Sequence, residues 1–387
     1  MSTPGETPND IATLSDPKTI LLDTPWAELN HAYGTAEDTP ALMVGLLDED
    51  PDAQSHALGQ LQMSVLHQGS IYSSTAPVAR FVAGILDHPR TSGQYESEYP
   101  WDDRIRTLRA ALLEWLGEIA ESVGHYDSRT PDPEYDDAAD IAACRAARPA
   151  IYQAVAPYLA DADPVTREAA LCAVGRLLTA PELQRQVPAA ADRLRTTLTT
   201  SSDRRERATA ALTLISWEQD TRDLLADPDP AIRACAALTP LHTDDPRPTA
   251  ILLEALSDPR AADHWFGAEP LPQLDGWFRF SLLQALLART TTLEEILEAA
   301  LALMPMANDF TVERDWGPLL LRAFPDGNAT EAALTDAQRC LLSAIAAKDD
   351  CWGNIGNKII WLRKAGLPTD RDAIRTLLAD ADRAPDL

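Results

Sequence analysis

Positive charge is what this chain has least of. Lys and Arg number 33 against 60 Asp and Glu in 387 residues, a formal charge of −27. A nucleic-acid phosphate backbone would be repelled unless the few cations gathered into a basic stripe. The densest cluster, Arg204, Arg205 and Arg207, is short and has no interleaved aromatics, so nucleic acid is not expected as a partner. Aromatics make up only 6%, and Val, Ile and Thr form no alternating runs, which argues against a substantial sheet. No apolar run approaches the roughly 18–20 residues that span a bilayer, so no membrane association is expected. The five cysteines, Cys144, Cys172, Cys235, Cys340 and Cys351, are odd in number and form no C-x-x-C pair, as in a reducing compartment. The start, Met1-Ser2-Thr3-Pro4-Gly5-Glu6, has neither the basic residues nor the apolar core of a secretory leader. A cytoplasmic location is the expectation.

Reactive signatures are equally scarce. There is no H-E-x-x-H, no H-x-H and no paired Cys/His spacing, so no metal site is assigned. No G-x-S-x-G nucleophile elbow occurs. Gly353-Asn354-Ile355-Gly356-Asn357-Lys358 lacks the glycine spacing and the Ser or Thr of a phosphate loop and reads as a turn entering a helix from Lys358 to Gly366. Asp136-Asp137-Ala138-Ala139-Asp140 has the D-D-x-x-D form of class I terpene synthases, and carboxylates a turn apart would suit magnesium. The companion motif is missing, because Asn308-Asp309 is followed by Val312 rather than Ser or Thr. These acids read better as favourable charges at a helix N-terminus. No catalytic residue and no cofactor is assigned.

What is present is one phrase written four times: an Asp, often Pro, a cation or small residue, then Ala and Leu. The two clearest copies run from Asp161 to Leu171 and from Asp227 to Leu238; weaker ones pass through Asp203, Arg207 and Leu212, and through Asp50, Pro51 and Leu58. Asp caps a helix by accepting free backbone N–H groups, and Pro fits the first helical position. Recurrence at a few tens of residues is the mark of stacked helical hairpins. The expected fold is all-α, an irregular right-handed superhelix of stacked helical hairpins (an α-solenoid).

Periodicity divides the chain into a loose tail over 1–22, N-terminal helical repeats over 23–124, central repeats over 134–260 and C-terminal repeats with a cap over 261–387. In the first block, Thr24 to Gly34 is expected as a short helix, followed by helices from Thr39 to Leu47, Pro51 to Leu66 and Thr75 to Leu86. A polar stretch from Arg90 to Pro100 breaks the rhythm. A strong amphipathic helix then runs from Trp101 to Val123, stopped at Gly124, with Ile105, Leu108, Leu112, Leu116 and Ile119 on its apolar stripe. Later helices are expected at 277–289, 292–303, 316–323, 335–347, 355–365 and 370–380.

Two stretches carry a family resemblance. Trp26 to Pro40, with His31-Ala32-Tyr33-Gly34, leads into His67-Gln68-Gly69-Ser70-Ile71-Tyr72-Ser73-Ser74-Thr75-Ala76, and Cys144 to Leu178 joins a Cys-bearing helix to a D-x-D-P-x-x-R repeat. Both are similar to an uncharacterised subgroup of the bacterial HEAT-repeat superfamily, with its HAYG and HQG-x-x-Y-x-x-T-A turns. The resemblance covers roughly the first half of the chain. It implies an α-solenoid used for binding, as in immunity or interaction proteins, and brings no catalytic residues.

His31, Tyr33, His67, Gln68 and Tyr72 form the first candidate binding site. Each His stands just before a Gly able to end a helix in the left-handed conformation; either the side chains satisfy last-turn carbonyls, or they converge as a polar site. Trp265, Phe266 and Trp277, around a loop with two prolines, are the second: they line a groove for a peptide or apolar ligand, or they close the core. The expected function is non-catalytic binding of a cationic protein or peptide on an acidic concave face; the same charge would also serve solubility. The alternative is an enzyme or accessory protein of specialised metabolism holding a small hydrophobic ligand.

Overall fold

Helices form where the sequence places Asp and Pro ahead of an Ala/Leu face. The structure, a computed structural model, describes residues 14–100, 102–128, 137–241, 243–274, 276–327 and 333–381. Among the described residues it is mostly helical, with 66% helix, 18 helices and almost no strand. The chain divides into two compact units, Met1–Thr196 and Thr197–Leu387.

In the first unit, α1 (Pro17–Asp23), α2 (Thr39–Gly45), α3 (Pro51–Val65), α4 (Thr75–Gly84), α5 (Leu108–Ser128), α6 (Ala138–Val155) and α7 (Pro164–Leu177) follow in order; the division falls inside α8 (Val187–Thr200). Helices pack on chain neighbours and on next-but-one neighbours: α2 on α3, α4 on α6, α5 on α7 and α6 on α7. Leu108, Leu112, Leu113, Leu116 and Val123 of α5 are fully buried. Gly117 lets α5 and α7 approach closely, since a Cβ there would sit 3.1 Å from Cα of Ala173. Two short antiparallel ribbons interrupt the helices. β1 (Asn30–His31) pairs with β2 (Gly34–Thr35), and β3 (Gln94–Tyr95) with β4 (Arg106–Thr107).

The second unit holds α9 (Arg204–Ser216), α10 (Pro230–Ala237), α11 (Arg247–Leu256), α12 (Pro259–Asp263), α13 (Phe278–Arg289), α14 (Leu297–Leu303), α15 (Trp316–Ala323), α16 (Asp336–Ala347), α17 (Lys358–Lys364) and α18 (Arg371–Ala381). The same ladder recurs: α9 on α10, α10 on α11, α11 on α13, α14 on α16, α15 on α17 and α16 on α18.

All four copies of the phrase cap a helix with their Asp. The carboxylates of Asp50, Asp163, Asp203 and Asp229 accept from the backbone N–H groups of Asp52, Thr166, Arg205 with Glu206, and Ala231. Such caps contribute about 1 kcal/mol each. The residue four places later folds back onto the incoming backbone. Arg167 donates to the carbonyls of Asp161 and Ala162 at 2.8 and 3.0 Å, and Arg233 to those of Asp227 and Pro228 at 2.9 and 3.3 Å. Gln54 does the same with Asp48 O at 3.0 Å. In the remaining copy, Arg207 reaches Leu198 O at 3.0 Å and Asp227 at 2.6 Å. The phrase is a self-contained device for stopping one segment and starting the next helix.

Several expectations need correction. The tail is helical from Pro17 to Asp23, because Asp16 caps it and Pro17 opens it. Residues 24–34 are not a helix: a 3-10 turn, Trp26–Glu28, gives way to the β1–β2 ribbon, turned at Ala32-Tyr33 with Gly34 at φ +128. The long helix begins at Leu108, so Ile105 lies ahead of it and is 70% exposed; Arg106-Thr107 is drawn into a ribbon with β3 instead. Gly124 does not stop α5, which continues to Ser128. Trp101, Pro133 and Asp136 lie outside the described residues, and Asp137 sits ahead of α6 without a capping hydrogen bond from its side chain.

Candidate functional site

The break at residues 90–107 builds a cleft of about 550 Å³ in the first unit. α3 supplies Leu58, Gly59, Gln62 and Met63, and α5 supplies Ala111, Glu114, Trp115 and Glu118. On each helix these residues share one face at three- and four-residue spacing. The turn after α3 adds His67 and Gln68, and the β3–β4 connection adds Tyr95, Ser97, Tyr99, Asp102, Arg104 and Arg106. The connection is pinned over α3 by Tyr99, whose hydroxyl donates to Gly59 O at 2.8 Å, and by Ser55, which donates to Glu96 O at 2.6 Å. A Cβ at Gly59 would meet the Glu98 side chain, which lies against α3 there. A second cleft of about 540 Å³ shares Gln62, Gln68 and Glu118 with the first.

One wall is a box of alternating charges. Arg104 donates to Asp102 at 2.8 Å and to both oxygens of Glu114 at 3.1 and 3.2 Å. Arg106 pairs with Asp102 at 2.8 Å and with Glu114 at 3.0 Å, and lies 5.2 Å from the Tyr95 ring centroid. Burial would raise the Asp102 carboxyl, but hydrogen bonds and charge from the two arginines bring it down to about 2. The box is neutral. Glu118 stands outside it. Among the described residues its carboxylate accepts one hydrogen bond, from Gln62 Nε2 at 3.0 Å. Burial raises its carboxyl pKa, helped by the charges of Glu114 and Glu121 and opposed by Gln62 and Arg176. Arg176 is itself paired with Glu121 at 2.9 Å.

The first set of predicted residues comes together in part. His31 is buried; its Nδ1 accepts from the Tyr33 backbone N–H at 3.0 Å and its Nε2 pairs with Asp38 at 3.0 Å. The exposed Tyr33 ring meets His67 edge-on with centroids 5.6 Å apart, its hydroxyl 3.4 Å from His67 Nδ1. His67 Nδ1 is 3.1 Å from Met63 O, four residues back, so this histidine does satisfy a last-turn carbonyl. His31 does not, because it sits in a ribbon. Gln68 is exposed, holds φ +52 ahead of Gly69 at +76, and lines both clefts. Tyr72 acts through its backbone N–H, which donates to Thr75 Oγ1 at 3.0 Å at the start of α4.

The second set serves packing. Phe266 is buried edge-on against Phe278 at 5.1 Å, and Trp265 meets the same ring at 6.1 Å. Trp277 stacks on His264 at 6.5 Å, and the Arg279 guanidinium lies 5.9 Å from the Trp277 centroid and 4.3 Å from that of Phe280. Arg205 holds the loop down through the carbonyls of Phe266, Glu269 and Pro270 at 3.1, 2.8 and 3.0 Å.

Other expected features take local roles. Lys358 donates to Gly353 O and Ile355 O at 2.7 and 2.5 Å, so the Gly353–Lys358 stretch is a turn entering α17. Cys144, Cys172, Cys235 and Cys351 are buried, and burial pushes Cys144 and Cys351 up to about 12. Among the described residues no group of three or more His, Cys, Asp or Glu side chains could hold a metal ion, and no helix is long and apolar enough to cross a membrane.

Sequence reading missed Gln62, Tyr95, Tyr99, Asp102, Arg104, Arg106, Glu114, Trp115 and Glu118. The available signal was a row of acids, Glu114, Glu118 and Glu121, on an otherwise apolar helix, beside a polar stretch holding two tyrosines. No protein-family model and no curated protein matches the chain.

Proposed function

We propose that the chain is a non-catalytic binding protein, built of HEAT-like helical hairpins, that receives a cationic protein or peptide. The observation that carries this reading is how the charges are used. Arg167, Arg207 and Arg233 are turned onto the protein's own carbonyls and carboxylates, and Arg104 and Arg106 are boxed by Asp102 and Glu114. Glu28, Glu37, Asp52 and Asp223 meanwhile lie exposed. An excess of solvated carboxylate steers and selects a cationic partner through long-range attraction. Helix packing on successive neighbours supports the HEAT-like part of the reading, since hairpin arrays bury their cores this way. Occlusion of a cationic toxin by an immunity protein is one concrete form of such binding.

A labelled Lys/Arg-rich peptide, followed by fluorescence anisotropy, tests the reading. Binding at low salt that weakens steeply at high salt is expected. Equal affinity for a Glu-rich peptide of the same length, or no binding at low salt, would sink it.

A further inference from the structure

We propose that the cleft between α3 and α5 is the receptor for one cationic side chain of the partner, its ammonium or guanidinium paired with Glu118 and its flanking amide groups with Trp115 and Gln62. This rests on the reading of a cationic partner and names where one of its residues is held. Four observations meet at the cleft. First, Glu118 is the one carboxylate lining it that has no arginine: the neighbouring box cancels its own charge, and no ion pair forms to Glu118 among the described residues. Arg176, whose charge reaches Glu118, is paired with Glu121, and a half-buried carboxylate without an ion pair of its own is unfavourable unless a cation arrives. Second, Trp115 is only 3% exposed, yet its indole N–H has no hydrogen-bond partner among the described residues. Third, Gln62 gives its amide N–H to Glu118 while its Oε1 is also buried and unpartnered. Native proteins rarely leave such atoms unpaired, and a bound group that both accepts and donates removes the deficit. A peptide amide does both. Fourth, Tyr95, Tyr99 and Trp115 wall the same space, and aromatic walls favour a cation over a neutral chain of equal length. A volume of about 550 Å³ falls within the range of small-ligand sites.

The probes are N-acetyl-lysine amide, N-acetyl-arginine amide and the neutral N-acetyl-norleucine amide. Each is titrated into the full chain while the Trp115 indole N–H is followed by NMR, its signal assigned with Trp115→Phe. A saturable shift with a cationic probe is expected, the lysine and arginine arms showing which head the cleft prefers. Norleucine should bind about tenfold more weakly or worse, as loss of one partner of a desolvated charge pair requires. Glu118→Gln, which keeps the shape and the Gln62 contact, should lose a similar factor, while Glu298→Gln on the exposed surface of α14 should lose none. Norleucine binding as tightly as the cations overturns the assignment without recourse to any variant; so does an unchanged Glu118→Gln. If only the single-residue probes fail while the Lys/Arg-rich peptide keeps its salt-sensitive binding, the receptor is elsewhere and the wider reading stands.

Discussion

Residues 90–107 and 264–277 are both breaks in helical rhythm, both carry aromatics and proline, and they end as opposites. The first leaves an open, polar cleft; the second is closed. The difference lies in what the nearby arginines grasp. Arg205 takes three carbonyls of its loop and draws the backbone down, while Gln273 reaches Thr209 O at 3.4 Å. Trp265 and Phe266 then fall against Phe278. In the first unit Arg104 and Arg106 take side-chain carboxylates instead, which stiffens one wall without filling the space. Here the insertion whose arginines box with Asp102 and Glu114 keeps an open cleft, and the one whose backbone is held by Arg205 of α9 packs its aromatics inward.

The contrast breaks first, and hardest, at the closed loop. Asp263 accepts from the Arg279 backbone N–H at 2.9 Å and pairs with its guanidinium, both side chains being buried. Removing one partner leaves a buried charge uncompensated, so Asp263→Ala is expected to destabilise the second unit by about 3–5 kcal/mol. Urea unfolding measures this, and Asp263→Ala/Arg279→Met should recover a large part. Affinity for the cationic peptide should stay unchanged. A stable Asp263→Ala that binds less peptide would mean that the loop is the site and the cleft is not.

The open cleft should respond to acid. Asp102 has an ordinary value of 3.8 brought to about 2, so the folded state favours its ionised form. Its contribution is present above the unfolded value and is lost as pH falls from about 4 towards 2. With the side chain 18% exposed, the shift corresponds to about 2 kcal/mol. Asp102→Asn should lose that amount at neutral pH and flatten the acid limb of the stability curve. An acid limb identical to that of the parent protein would show that the box does not hold the wall.

How much of this could be read in the chain follows from the range of each signal. The Asp caps are local: a carboxylate reaches N–H groups two or three residues on, so Asp163 and Asp229 could be placed from sequence alone. Helices such as 316–323 were equally legible, since Asp315 caps Trp316 and the apolar stripe is strong. The ribbons were not. Arg106-Thr107 looks like the first turn of an amphipathic helix until Gln94-Tyr95 pairs with it from a dozen residues away, and no local periodicity reports that. Of the candidate residues, His67 and Gln68 were found because a Gly follows them, and both line the cleft. Glu118 escaped because its significance depends on having no arginine opposite, which sequence does not display.

The smallest expected effect separates the two regions most sharply. Glu118 has a raised carboxyl pKa from burial, with Gln62 and Arg176 opposing and Glu114 and Glu121 reinforcing. The folded state thus holds its proton more tightly than the unfolded chain does. Stability from this group is greatest below the unfolded value and falls as pH rises to the folded one, so ionising this carboxyl works against the fold. Glu118→Gln should be neutral or slightly stabilising at neutral pH, by less than about 1 kcal/mol. The same substitution made in a residue that holds the structure, as at Asp102, costs stability. If Glu118→Gln instead loses more than about 1 kcal/mol in urea unfolding, its carboxylate is a structural acid like Asp263. A group that costs the fold nothing to lose, and whose loss removes binding of a cation, belongs to the ligand and not to the core.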